Sequence, residues 1–381
     1  MKAIFYFGHH KVGSTALQRF LFRNQTALMR QGILYPGTES ESLTSAIARL
    51  LDESGDLSKA QAARLSAAAL AHAPTMNALE PHNALAFQML AQVTKGKLPE
   101  WHSGLPGVPQ MIRAMRLQAR LIQPHSVLIC SEVMSNFGPR YPQLIERVRD
   151  IYPDASPSIY CVLRRPDDYL VSWHSQRLRF GDKVAALSEG AALNYTSTIH
   201  FDYRKAVEPW LEKFPDAPQH LRNYTDVLAA GGSVQDFFAS NALELPEDML
   251  PVGRANESLP RAAMEIVRRG NHELPPEEAH ALRRYLLDDE RRPQPVPNRD
   301  VEMFGAGLRA ELAERFAPIH AWLSEITGQD AFFPDIEELA RPRPVPEQEA
   351  NADLLAGIDP ASLPSDEIRD FIASLQRGKK E

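Results

Sequence analysis

The chain has 381 residues, with 42 Lys and Arg against 49 Asp and Glu for a net charge of −7, and 44% of its residues are hydrophobic. That apolar share supports a substantial core and excludes wholesale disorder. The mild negative charge and scattered basic residues exclude the electrostatic footprint of a nonspecific nucleic-acid binder or of a protein held on an anionic membrane surface.

The opening run Ala3 to Phe7 is too short for a signal h-region, and no stretch reaches the roughly 18 to 20 uncharged apolar residues of a membrane span. A cytoplasmic protein is expected. Lys2 to Gly8 (KAIFYFG) predicts a strand, HHKVGST a turn, and the spacing of Leu17, Phe20, Leu21 and Leu28 a helix from about Ser14 to Arg30. From about 40 to 123 the sequence is Ala/Leu-rich and broken by Pro74, Pro81, Pro99, Pro106 and Pro109, which predicts several short helices inserted as a cap. SVLICSE (Ser126 to Glu132) and SIYCVLRR (Ser158 to Arg165) read as buried strands separated by a helix around Pro142 to Ile151. Cys130 and Cys161 lie within these runs and read as buried thiols, since two cysteines make no disulfide framework.

After Pro166 come a helix to about Phe180, another at Tyr203 to Lys213, and a strand and helix between His220 and Ala230. Strands alternating with helices predict an α/β fold with a central parallel sheet. Helical patterns follow at Pro260 to Arg269, Glu277 to Asp288 and Val301 to Thr327. The expected organisation is one α/β domain over 1–340, including the insertion, and a Pro-rich peripheral tail over 341–381 with a short helix near Ser365 to Gln376.

Two segments carry chemistry. In GHHKVGST a strand ending at Gly8, a loop with Lys11 and Gly13, and a helix opened by Ser14 and Thr15 bring backbone N–H groups, the helix dipole and an ammonium together, which suits a phosphate. It is not the nucleotide-hydrolase P-loop, whose lysine directly precedes the Ser/Thr. In LRRPDDYLVS, Pro166 suits a first helical turn and Asp167 and Asp168 suit its positive end. Ser172 follows Arg164 by about two helical turns, so guanidinium and hydroxyl can approach one anion from two sides.

Together the two motifs resemble the sulfotransferase family that uses 3′-phosphoadenosine 5′-phosphosulfate (PAPS), in its bacterial branch. HKVGSTALQ (His10 to Gln18) is similar to the family's 5′-phosphosulfate loop and RRPDDYLVS (Arg164 to Ser172) to its 3′-phosphate signature. LRNYTDVL (Leu221 to Leu228) and RANESLP (Arg254 to Pro260) are similar to less specific downstream elements. The resemblance implies a P-loop-like three-layer core, with PAPS as cofactor. It implies that His10, Lys11, Val12, Gly13, Ser14 and Thr15 hold the 5′-phosphosulfate, that Arg164 and Ser172 hold the 3′-phosphate, and that Tyr224 and Arg254 touch the nucleotide.

Sulfuryl transfer develops negative charge on the departing phosphate, so Lys11 is expected to act catalytically there. No metal is expected, since no His/Cys cluster has ligand spacing. The acceptor, expected to be a hydroxyl or amine on a carbohydrate or small metabolite, must lose a proton. Glu132, next to the carboxyl edge of the sheet, is one candidate base; His82, at a helix start in the insertion, is the other. His9 and His10 rank third. A triphosphate-dependent kinase or hydrolase and a noncatalytic nucleotide-binding protein stand as alternatives.

Overall fold

The structure, a computed structural model, describes residues 1–40, 42–43, 75–138, 140–246, 249–251 and 258–378. Part of the predicted insertion, 44–74, and Arg254 lie outside the described residues. The chain divides into two compact units, Met1–Arg164 with Tyr203–Ala255, and Arg165–Asp202 with Asn256–Glu381.

The first unit is an α/β fold around a parallel sheet. Its strands are β1 (Lys2–Gly8), β2 (Ile33–Leu34), β3 (Ser126–Cys130), β4 (Ser156–Leu163) and β5 (Gln219–Asn223), in the order β2-β3-β1-β4-β5. β1 is central, with Tyr6 level with Cys130 on one side and Tyr160 on the other. Both faces are covered, which is why Ala3–Phe7, Val127–Cys130 and Ile159–Leu163 are apolar without interruption. Ile4, Tyr6, Cys130, Tyr160 and Val162 pack with Leu17, Phe20 and Leu21 of the Ser14–Arg23 helix and with Phe237 and Phe238. On the opposite face Phe5 meets Phe214, and Phe7 stacks on Trp210 at 4.3 Å.

The helix predicted from Ser14 to Arg30 is two helices, Ser14–Arg23 and Gln25–Arg30. Asn24 divides them: its amide nitrogen donates to the Phe20 and Leu250 carbonyls while its oxygen accepts from the Leu250 N–H. Of the insertion, the helices Met76–Leu79, Pro81–Thr94 and Val108–Ile122 are described, and Pro81 and Pro109 fall in first turns, where a missing N–H is harmless.

In the second unit the Arg261–Glu273 helix packs against Pro166–Arg179, Pro276–Leu287 and Glu347–Gly357. The helix expected from Val301 begins only at Ala306, because Val301–Glu302 forms β6, paired in parallel with β7 (Val345–Pro346). Glu302 fixes that geometry by accepting the N–H groups of Phe304, Gly305 and Arg343 and the guanidinium of Arg309. The segment read as a peripheral tail supplies two helices, Glu347–Gly357 and Asp366–Arg377, that bury Leu354, Leu355, Ile368 and Ile372. The prolines around 342–346 precede these helices without preventing them.

Among the described residues no helix is long and apolar enough to cross a membrane.

Candidate functional site

In an open parallel sheet, ligands bind beyond the carboxyl ends of the strands, where neighbouring connections leave in opposite directions. Here β1 leads towards β2 and β4 towards β5, on opposite sides. The residues that follow β1, β3 and β4 are the Lys11 loop, Glu132 and Arg164.

The loop after β1 has an unusual backbone. Gly8 must be glycine, since a Cβ there would lie 2.8 Å from the Val162 carbonyl oxygen of the adjoining strand. Lys11 and Gly13 both have positive φ, 62° and 85°, a conformation that side chains other than glycine adopt at some strain. A Cβ on Gly13 would collide with the Ser233 hydroxyl, which donates to the Val12 carbonyl. Gly13 precedes the Ser14–Arg23 helix, whose first turn has neither an acidic residue nor a side-chain cap. Its N–H groups and positive dipole end are therefore left for an anion. Val12 is fully buried in the core, so only its backbone belongs to the cradle; Ser14 is buried and Thr15 half-buried.

Glu132 opens a 3₁₀ turn, Glu132–Asn136, directly after β3 and is 8% exposed. One carboxylate oxygen accepts from Gln18 at 3.3 Å and the other from Asn83 at 3.2 Å. The Asn83 oxygen in turn accepts from the Ser131 hydroxyl at 2.6 Å and from Gln18 at 3.2 Å. His10 Nδ1 lies 3.9 Å from Glu132 Oε1. Burial lowers the His10 imidazole below its usual range, with Glu132 opposing and Lys11 reinforcing that shift.

His82, the other candidate base, is fully buried. Its Nδ1 accepts the Cys130 backbone N–H at 3.1 Å, and its ring meets the Tyr35 ring edge-on at 4.8 Å. Burial pushes its pKa down to about 3, so at neutral pH it is an uncharged ring tying the Pro81–Thr94 helix to β3. His9 is likewise buried and joins β1 to β4: its backbone N–H donates to the Val162 carbonyl and its Nδ1 accepts the Arg164 N–H.

Arg164 lies just beyond β4, its guanidinium carbon 5.3 Å from the centre of the Tyr224 ring, and its carbonyl accepts from the Tyr203 hydroxyl at 2.7 Å. Tyr224 starts the helix after β5, and Asn223 caps that helix by accepting the Asp226 N–H. Ser172 is half-buried on the Pro166–Arg179 helix of the second unit. Asp167, on the same helix, is matched by Arg165, Arg309 and Arg343.

No protein-family model matches the chain. An uncharacterized protein of Archaeoglobus fulgidus is 31% identical over 137 residues, a stretch covering 35% of this chain and 36% of that protein, about a third of the relative's length. Two solved structures are similar to the chain over most of its length. A sulfotransferase from Alicyclobacillus acidocaldarius aligns with a TM-score of 0.39 and 16% identity, covering 89% of this chain and 98% of that one. The sulfotransferase domain from the curacin biosynthetic pathway aligns with a TM-score of 0.32 and 14% identity, covering 66% of this chain and 78% of the domain.

Sequence reasoning missed three site residues: Gln18, Glu80 and Asn83. Gln18 had a usable signal, because it sits beside Leu17 and one turn from Leu21, where a helix turns its apolar side inward. Glu80 and Asn83 flank His82 in EPHNALAF, and it is they, not the histidine, that reach the Glu132 carboxylate or its hydrogen-bonding partners.

Proposed function

We propose that the chain transfers a sulfuryl group from PAPS to a hydroxyl or amine acceptor, such as a carbohydrate or small metabolite. The observation that carries this reading is the close approach of the Lys11 loop to a buried carboxylate, through His10 and Glu132 at 3.9 Å. An anion cradle beside a base held for proton removal fits the two ends of a sulfuryl transfer, the departing phosphate and the attacking acceptor.

The uncapped helix start and the Lys11 ammonium fit the 5′-phosphosulfate, and Arg164 fits the 3′-phosphate; a 3′-phosphate role for Ser172 rests on the sequence motif alone. When bound, PAPS supplies an activated sulfuryl group on a phosphate leaving group. Lys11 and the N–H groups of Gly13, Ser14 and Thr15 then stabilise the charge that grows on the phosphate side. Glu132 takes the acceptor proton. Gln18 and Asn83 each occupy one of its oxygens, so the carboxylate is held in place with lone pairs to spare. His82 carries no chemistry in this reading.

Melting curves of the wild type and Lys11→Ala test it, with 3′-phosphoadenosine 5′-phosphate, Mg²⁺-ATP and Mg²⁺-GTP as probes. At about 100 times its dissociation constant a ligand adds about 2.7 kcal/mol of stability. Stabilisation by the bisphosphate, diminished in Lys11→Ala, is expected. A shift with Mg²⁺-triphosphates alone would replace this reading with a kinase or hydrolase, and no shift with any probe would favour a protein that uses the fold for another purpose.

A further inference from the structure

Glu132 is not the only buried carboxylate at the end of β3. Glu80, immediately before the Pro81–Thr94 helix, is also 8% exposed, and its Oε2 accepts from the Asn83 side-chain amide at 2.8 Å. The same amide nitrogen donates to Glu132 Oε1 at 3.2 Å. One NH₂ group therefore spans two carboxylates, one on each side, while its oxygen is held by Ser131 and Gln18. An amide has only two N–H donors, so both are committed and the Asn83 orientation is fixed from four directions.

We propose that Glu80 is a positioning residue for Glu132: through the shared Asn83 amide the two side chains form a carboxylate pair in which Glu80 helps fix the donor that holds the Glu132 carboxylate in place. The role in turnover rests on the sulfuryl-transfer reading; the pairing does not. Two carboxylates so placed, in surroundings this dry, cannot both be charged without mutual cost. The groups around them set which one is neutral. From the Ser14–Arg23 helix come Arg19 and Gln18, from β3 and its turn Cys130, Ser131 and Glu132, from beyond β2 Tyr35, and from the β1 loop His10 and Lys11. Among these, Arg19 is the cation that acts on Glu80. Burial first, and the charge of Glu132 second, raise Glu80 to about 7.

Two regimes follow. Below neutrality Glu80 holds its proton. Above neutrality Glu80 ionises and places a negative charge across the Asn83 amide from Glu132.

Carboxyl titration of the protein without nucleotide or acceptor, followed by ¹³C NMR of glutamate-labelled material, tests the pairing. In the wild type a glutamate titration at about pH 7 is expected, separate from that of Glu347 at about 8, which Glu347→Gln identifies. The former should be missing in Glu80→Gln, whose amide oxygen can still accept from Asn83. It should move down by about one pH unit in Glu132→Gln, where the second charge is gone. A titration at about pH 7, other than that of Glu347, that persists in Glu80→Gln, or that stays in place in Glu132→Gln, would overturn the pair. As a second measurement, the pH profile of sulfuryl transfer by the wild type should rise again near pH 7, and that rise should vanish in Glu80→Gln with acceptor KM unchanged. An unaltered profile in Glu80→Gln would overturn the positioning role. If no variant or wild type transfers sulfuryl groups while the titrations behave as stated, the sulfuryl-transfer reading fails and the carboxylate pair stands.

Discussion

Two residues with similar claims to be the base, Glu132 and His82, end in opposite circumstances. Glu132 has each oxygen engaged by a neutral donor and stands beside the Lys11 loop. Its replacement by Gln is expected to lower turnover by about 10²- to 10⁴-fold while 3′-phosphoadenosine 5′-phosphate still raises the melting temperature as in the wild type. The buried His82 ring accepts the Cys130 N–H at 3.1 Å. His82→Ala leaves that donor unsatisfied and opens a cavity, so a loss of about 2 to 4 kcal/mol in urea unfolding is expected, with turnover per folded molecule changed only a few-fold. The pH dependence has a definite sign. Between its ordinary value of 6.5 and its folded value of about 3, His82 binds a proton when unfolded and refuses it when folded. Stability therefore falls as pH drops through that window, and His82→Ala should lose part of that acid sensitivity.

At the scale of elements, the loop between β1 and the Ser14–Arg23 helix depends on Gly13. Positive φ and the Ser233 hydroxyl both exclude a side chain there. Gly13→Ala is expected to cost about 2 kcal/mol or more of stability and to weaken nucleotide binding beyond what the stability loss alone explains, as calorimetric titration below the melting temperature would reveal. The strands, the loop and the helix start were legible in the sequence because each is set by local pattern: an apolar run, a glycine, a Ser-Thr opening. The division of one predicted helix at Asn24 was not, since the bonds that cause it reach Leu250, more than two hundred residues away. Likewise the strand at Val301 depends on Glu302 collecting the Arg343 N–H, a contact with no local trace.

For the molecule as a whole, the chain passes between its two units after Arg164, Asp202 and Ala255, so neither unit is a continuous stretch. The segment beyond Ala340 is part of the second unit's core, through Leu354, Leu355, Ile368, Phe371 and Ile372. Full burial of such side chains stabilises by roughly 1.5 to 3 kcal/mol each, in sum comparable to the whole stability of a typical domain. A chain ending at Ala340 is therefore expected to lose hydrogen-exchange protection in the Arg261–Glu273 helix; full protection there would show the segment to be dispensable. By itself the sequence determined the alternation of strands and helices, the parallel sheet and the glycine-bearing loop, because these follow from the period of apolar residues and the backbone freedom of single positions. Only the tertiary structure decided that Glu80, Asn83, Gln18 and Glu132 meet, that His82 is sealed between Cys130 and Tyr35 as a neutral ring, and that the proline-rich end is packed. Hydrogen bonds and burial between residues distant in sequence make those choices, and such contacts exist only once the sheet has brought the strand ends together.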